Sequence, residues 1–186
     1  MANWCSTTVI FTGSEKNLKS FYDDFMFAQE HIKEGCNDWI GRLLLLKGID
    51  HEQIHCRGFY NYIEMEEDRI TLLSEDAWSP CIETYDKFAE MYGLSYVLCA
   101  EEPGMGIYIN TDTEHKYFLE KYIIDVYDLE LLEDDELKEI FEKMGNIRYF
   151  GSEEEMLAFF KDYKKHKIET IEDLKKFMNK YSTFIS

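Results

Sequence analysis

The chain has 186 residues, 45% of them apolar, and its 20 Lys+Arg against 38 Asp+Glu leave a formal net charge of −18. With 13 Phe, 13 Tyr and 3 Trp there is enough aromatic surface for a buried core, which excludes disorder over most of the length. No apolar run, Leu43 to Leu46 included, exceeds five residues, far short of the roughly 20 that cross a bilayer, and the amino end has no basic segment leading into an apolar stretch, so neither a membrane span nor a secretion signal is expected.

From the amino end, Thr8 to Thr12 alternates polar and apolar character around Val9 and Phe11 and stops at Gly13, which predicts a strand. Ser14 offers a cap for a helix of about 18 residues whose apolar face is Leu18, Phe21, Tyr22, Phe25, Ala28 and Ile32. Gly35 to Asp38 breaks that helix, and Trp39, Ile40, Leu43 and Leu44 predict a short second one ended by Gly48. Phe59 to Glu66 and Arg69 to Ser74 are β-rich runs separated by Glu67 and Asp68, the length of a hairpin. Pro80 stands where helices start, and Ile82, Tyr85, Phe88, Ala89 and Tyr92 recur at helical spacing until Gly93. Leu94 to Ala100 alternates as a fourth strand. Pro103-Gly104 turns the chain into a fifth around Ile107 to Ile109, and Tyr117 to Tyr127 predicts a sixth.

Strand, helix, strand, strand, helix, strand is the split βαβ plan of the ferredoxin-like fold, an α+β two-layer sandwich expected over residues 1–128 with one or two extra strands. From Glu133 the pattern turns helical through Leu137, Ile140, Phe141 and Met144, then Met156, Leu157, Phe159 and Phe160, then Ile171, Leu174, Phe177 and Met178. Residues 129–186 are therefore expected to form a helical C-terminal appendage packed on the sandwich. Ser152 with Glu155 and, less fully, Thr170 with Asp173 carry the capping-box pattern, and Lys161, Lys164, Lys165 and Lys167 read as a solvated helix end. Cys5, Cys36, Cys56, Cys81 and Cys99 are odd in number, far apart and without a C-x-x-C, so reduced thiols and a cytoplasmic location are expected, with no close-spaced pairs for zinc.

The charge is uneven. Residues 61–128 hold four Lys and Arg against sixteen Asp and Glu, a net of −12. A field of that sign repels phosphate backbones and attracts a basic protein surface. A narrower form of this expectation is a nucleic-acid mimic that occupies the basic groove of a DNA-acting enzyme, which requires the carboxylates to converge on one face.

Five short words fall between the predicted elements: Asn3-Trp4-Cys5-Ser6, Asp38-Trp39-Ile40-Gly41, Cys56-Arg57-Gly58, Trp78-Ser79-Pro80 and Glu102-Pro103-Gly104. In this order they resemble the YubB-type ferredoxin-like domain of phage and conjugative-plasmid proteins, over roughly residues 1–128; Thr7 stands where that family usually has Asn. The resemblance implies a fold and a bacterial mobile-element origin, and carries no catalytic residue. By themselves the words read structurally: Trp4, Trp39 and Trp78 as packing residues whose indole N–H needs a partner, Gly41, Gly58 and Gly104 as turns or close backbone approaches, Arg57 as a cation for a nearby acid or, alternatively, for a ligand anion.

Candidate chemistry is sparse. His51-Glu52-Gln53-Ile54-His55 matches H-E-x-x-H, which on a helix sets two imidazoles one turn apart to bind zinc, with the glutamate as general base. Gly48 before it and Gly58 after it leave room for little more than one or two turns, so the expected catalytic and metal sets are none, with Glu52, His51 and His55 as the alternative. Cys56 beside His55 makes a dyad only on paper. Phe59, Tyr60, Tyr62 and Tyr96 match the aromatic platform of RNA-recognition modules, but in an acidic surround. The reading is a non-enzymatic interaction protein without cofactor, whose partner is a basic protein surface, a DNA-acting enzyme among the candidates; the alternative is a small zinc-dependent hydrolase.

Overall fold

The computed structural model describes residues 3–126, 130, 135–145, 147–160, 168–178 and 183–185. Lys161, Lys164, Lys165 and Lys167, and the end of the predicted sixth strand at Tyr127, lie outside the described residues. The chain divides into two compact units, Met1–Met105 and Gly106–Ser186.

The first unit holds β1 (Trp4–Thr12), α1 (Glu15–His31), α2 (Arg42–Leu46), β2 (Gly58–Met65), β3 (Arg69–Ala77), α3 (Ile82–Tyr92) and β4 (Ser95–Glu102). Its strands run in the order β2-β3-β1-β4, every neighbouring pair antiparallel. β1 starts at Trp4, four residues before the predicted strand, because both of its edges are paired and its inward residues Cys5 and Thr7 are buried, the Thr7 hydroxyl donating to the Cys5 carbonyl. β3 runs three residues past its expected end at Ser74, to Ala77, and α2 begins only at Arg42, Trp39 pairing with Phe59 instead of starting the helix; the remaining elements of this unit lie within two residues of the pattern, and Glu66 N–H donates to the Arg69 carbonyl to close the β2–β3 hairpin.

Cys5, Thr7, Val9 and Phe11 alternate onto the face of the sheet that α1 and α3 cover. There Phe11 meets Phe21 at 5.0 Å between ring centroids, Phe21 meets Phe25 and Phe88, and Tyr85 completes the cluster. All five rings are fully buried. Each pair adds about 0.5–1.5 kcal/mol beyond the area that it buries.

Ser14 caps α1 as expected, its Oγ accepting the Asn17 N–H at 3.2 Å. At the other end the buried Arg42 guanidinium donates to the carbonyl of Gln29 in the last turn, at 2.9 Å, and to that of Glu34 in the loop that follows. Arg42→Met, which keeps the length of the stem, is therefore expected to destabilise the first unit by about 1–3 kcal/mol through the carbonyls left without donors. Urea unfolding checks it, and an unchanged midpoint would show that water replaces the guanidinium.

α3 begins at Ile82, two residues after Pro80, and its cap position Cys81 has no capping side chain of its own. Asp76 supplies one from the end of β3, Oδ2 accepting the Cys81 N–H at 2.9 Å.

The second unit differs from the expected helical tail. It holds β5 (Ile107–Asn110), β6 (Tyr122–Val126), α4 (Asp135–Met144), β7 (Ile147–Phe150), α5 (Glu153–Phe159), α6 (Ile171–Met178) and β8 (Thr183–Ile185), with strand order β7-β6-β8. The expected boundary at residue 128 thus falls inside this unit, and the sixth strand belongs to a second antiparallel sheet. The first half of that predicted strand is a loop. Asp112 accepts the N–H groups of Tyr117 and Phe118, and the Asn110 amide donates to the carbonyls of Phe118 and Glu120, so these groups are taken before a ladder can use them. The unit has its own core of Ile124, Val126, Leu137, Phe141, Phe150, Met156, Phe160 and Leu174. Ser152 Oγ accepts the Glu155 N–H while the Glu155 carboxylate accepts from Gly151 N–H, and Thr170 and Asp173 exchange bonds in both directions, a full capping box. No helix among the described residues is long and apolar enough to cross a membrane.

Candidate functional site

Antiparallel pairing brings the start of β1 and β2 and the end of β3 and β4 to one end of the first sheet. Four of the five words sit there, and the remaining one, Asp38-Trp39-Ile40-Gly41, is tied to it: Ile40 N–H donates to the Gly58 carbonyl, Tyr60 N–H to the Asp38 carbonyl, and Trp39 pairs with Phe59. The sequence spreads these residues over a hundred positions; the sheet register collects them.

Their contacts are structural. Trp39 Nε1 donates to the Cys56 carbonyl at 2.6 Å, the indole partner that the sequence asks for. Its ring lies so close over Gly41 that a Cβ there would stand 2.2 Å from it. Trp78 N–H donates to the Asn3 carbonyl, and the carboxylate of the buried Glu102 accepts the N–H groups of Gly104 and Met105. Trp4 packs edge-on against Phe59 at 4.8 Å and remains 43% exposed, as does Trp78, so these two indoles are rim residues. Arg57 is exposed and makes no ion pair among the described residues.

Behind this end lies the most unusual group of the unit, the fully buried Asp76. Oδ2 accepts from Cys81 N–H and from the Tyr85 hydroxyl at 2.7 Å, and Tyr85 also shares a hydrogen bond with Ser74. Among the described residues Oδ1 has no hydrogen-bond partner, and a Cβ on Gly58 would stand 2.2 Å from it. Burial raises the Asp76 carboxyl above its ordinary value, only partly offset by these donors. Burial likewise pushes the Cys5 thiol up to about 11 and raises Cys56 and Cys81, the reverse of what a nucleophilic thiolate requires. Nothing in the sequence marked Asp76, which follows Glu75 near the end of β3.

The H-E-x-x-H residues are not one turn apart on a helix. His51, Glu52 and Gln53 form a single 3-10 turn capped by Asp50, and Ile54 is already extended. His51 sets its ring edge-on to Trp39, while His55 joins α3 through its backbone, its N–H donating to Glu83 and its carbonyl accepting from Thr84. Among the described residues, no three His, Cys, Asp or Glu are grouped to hold a metal ion. Cys56 directs its thiol toward the His51 carbonyl.

The four aromatic positions are divided between the faces. Tyr60 packs on Phe25 and Tyr96 on Phe11, on the helix-covered side, whereas Phe59 and Tyr62 share register with Glu75 and Leu73 on the other side. No four-ring platform forms. The acids are divided as well: Asp76, Glu102, Asp112 and Asp125 are buried, Glu83, Asp86 and Glu90 are exposed on α3, Glu64 and Glu75 lie on the opposite face of the sheet, and Glu67 and Asp68 form the hairpin tip. Exposed carboxylates on both layers do not favour a nucleic-acid mimic, which needs one face.

Comparison with family models, with curated proteins and with solved structures returns no match to this chain.

Proposed function

We propose that the protein is a non-enzymatic interaction protein of a bacterial mobile element or phage, which docks through acidic surface on its first unit to a basic surface of another protein, a DNA-acting enzyme being one such partner. The single observation that carries this reading is uncompensated exposed charge on a well-packed scaffold. Residues 1–105 hold eight Lys and Arg against nineteen Asp and Glu, and of those cations Arg42 is spent on carbonyls rather than on acids. Among the described residues, the ion pairs formed within the unit, such as Lys47 with Asp24 and Lys87 with Glu90, leave most of its exposed acids without a cation.

The strand order β2-β3-β1-β4 with two helices on one face supports a ferredoxin-like unit, with the second unit as an appendage of mixed α and β structure. Gathering of the five words at one sheet end, with packing roles for most, supports the YubB-type resemblance as a likeness of fold rather than of chemistry.

Immobilised protein exposed to bacterial lysate and eluted with a salt gradient tests the reading. Basic proteins are expected to be retained and to leave by about 0.3 M salt, where screening shortens to roughly 6 Å. Retention that ignores salt would refute it. So would close to one equivalent of zinc in tag-free protein, which would instead move the 51–55 turn into a metal site.

A further inference from the structure

β2 is the last strand of its sheet, and among the described residues its outer edge is occupied at Gly58 and Tyr60 alone, by Ile40 and Asp38. The register then shifts between Tyr60 and Tyr62. Counting back from the Glu66 to Arg69 bond that closes the hairpin, Glu64 and Tyr62 turn their backbone groups inward to β3, so Ile63 and Met65 turn theirs outward. Among the described residues, no hydrogen bond beyond the β2–β3 ladder reaches Ile63 or Met65. This edge borders a concavity of about 640 Å³ lined by Glu15, Tyr22, Tyr62 to Glu64 and Met65 to Glu67.

We infer that this edge accepts an added strand from the partner, an extended segment in which basic and apolar residues alternate. The inference rests on the docking reading above and locates it. An incoming strand opposite Ile63 to Met65 exchanges backbone bonds with those two residues. Its side chains alternate between two environments: one side meets the Tyr62 ring and the Glu64 carboxylate, the other meets Ile63, Met65 and Tyr22 of α1. The first suits lysine or arginine and the second a β-branched residue. Glu66 is already paired with Arg69, whereas Glu15, Glu64 and Glu67 have no ion pair among the described residues and remain for a cation.

The same charges select against a second copy of this chain. Exposed edges are ordinarily guarded by lysine, proline or a bulge; here a register shift and a cluster of glutamates do so. Two β2 edges brought together would oppose their own carboxylates, whereas a basic strand neutralises them.

The test uses the full chain and a labelled peptide alternating lysine and valine, read by fluorescence anisotropy, beside the same peptide N-methylated at alternate backbone positions. Tight binding of the first, with about tenfold loss on N-methylation from two missing backbone bonds and a comparable loss in Glu64→Lys, is the expected result. Equal binding of both peptides would overturn strand addition while leaving an acidic docking surface in place. No peptide binding by protein that still retains basic lysate proteins would overturn the edge alone, and no binding of either kind would overturn both readings. Self-association that Glu64→Lys abolishes would assign the edge to a second copy instead.

Discussion

Trp39→Ala is expected to cost the first unit about 3–5 kcal/mol, the largest single effect of any substitution at the gathered end of the sheet. The indole fills the space over Gly35 and Gly41, where added Cβ atoms would stand 2.4 and 2.2 Å from ring atoms, so its removal opens a cavity that glycine cannot refill. It also strands the Cys56 carbonyl, and it loosens a segment whose backbone is held by Gln29 Nε2 donating to the Trp39 carbonyl at 3.0 Å. Trp39→Phe separates the two contributions: keeping most of the ring but not the N–H, it should lose only about 1–2 kcal/mol. Urea unfolding of both variants measures this. A loss below about 1 kcal/mol for the alanine variant would mean that the turn holds the strand ends together without its ring.

Asp76 gives the second large effect, and its sign depends on pH. The carboxyl is raised above its ordinary value of 3.8 in the folded protein, chiefly by burial, so the native state holds its proton to higher pH than the unfolded chain does. A group raised in this way contributes stability that is fully present below the unfolded value and is lost as pH rises through the folded one. Asp76→Asn keeps the shape and an oxygen for the Cys81 and Tyr85 donors without the buried charge. Its stability relative to the parent should therefore improve steadily as pH rises from below 3.8, and a difference that stays flat with pH would refute the assignment. Asp76→Ala behaves differently, losing about 1–3 kcal/mol because the Cys81 N–H and one bond of the Tyr85 hydroxyl go unmet.

Much of the first unit was legible because its signals are local. The alternation around Val9 and Phe11, the Ser14 cap, the Glu67-Asp68 hairpin and the Gly93 stop each act within a few residues, and the elements that they mark formed there, β1 with four further residues at its start. The second unit was less so. β7 is four residues long and β8 three, too short for a period to register, and the side chains of Asn110 and Asp112 hold as a loop a stretch rich in strand-forming residues. The H-E-x-x-H match shows the converse limit, since a spacing that means one turn on a helix means nothing once the backbone extends at Ile54.

Composition and periodicity by themselves determined the α+β class of the chain, most of its elements, the excess of negative charge and the free state of its cysteines. Only the tertiary structure decided which of these residues meet. Strand register gathered the five words at one end and divided four aromatic residues between two faces. Burial, which no spacing reports, made Asp76 the cap of α3, and the position of β2 at the margin of its sheet left the backbone of Ile63 and Met65 without a neighbour among the described residues beyond β3. Such properties depend on which strands are neighbours, and that is fixed by long-range packing of Phe11, Phe21, Phe25, Tyr85 and Phe88 rather than by any local pattern.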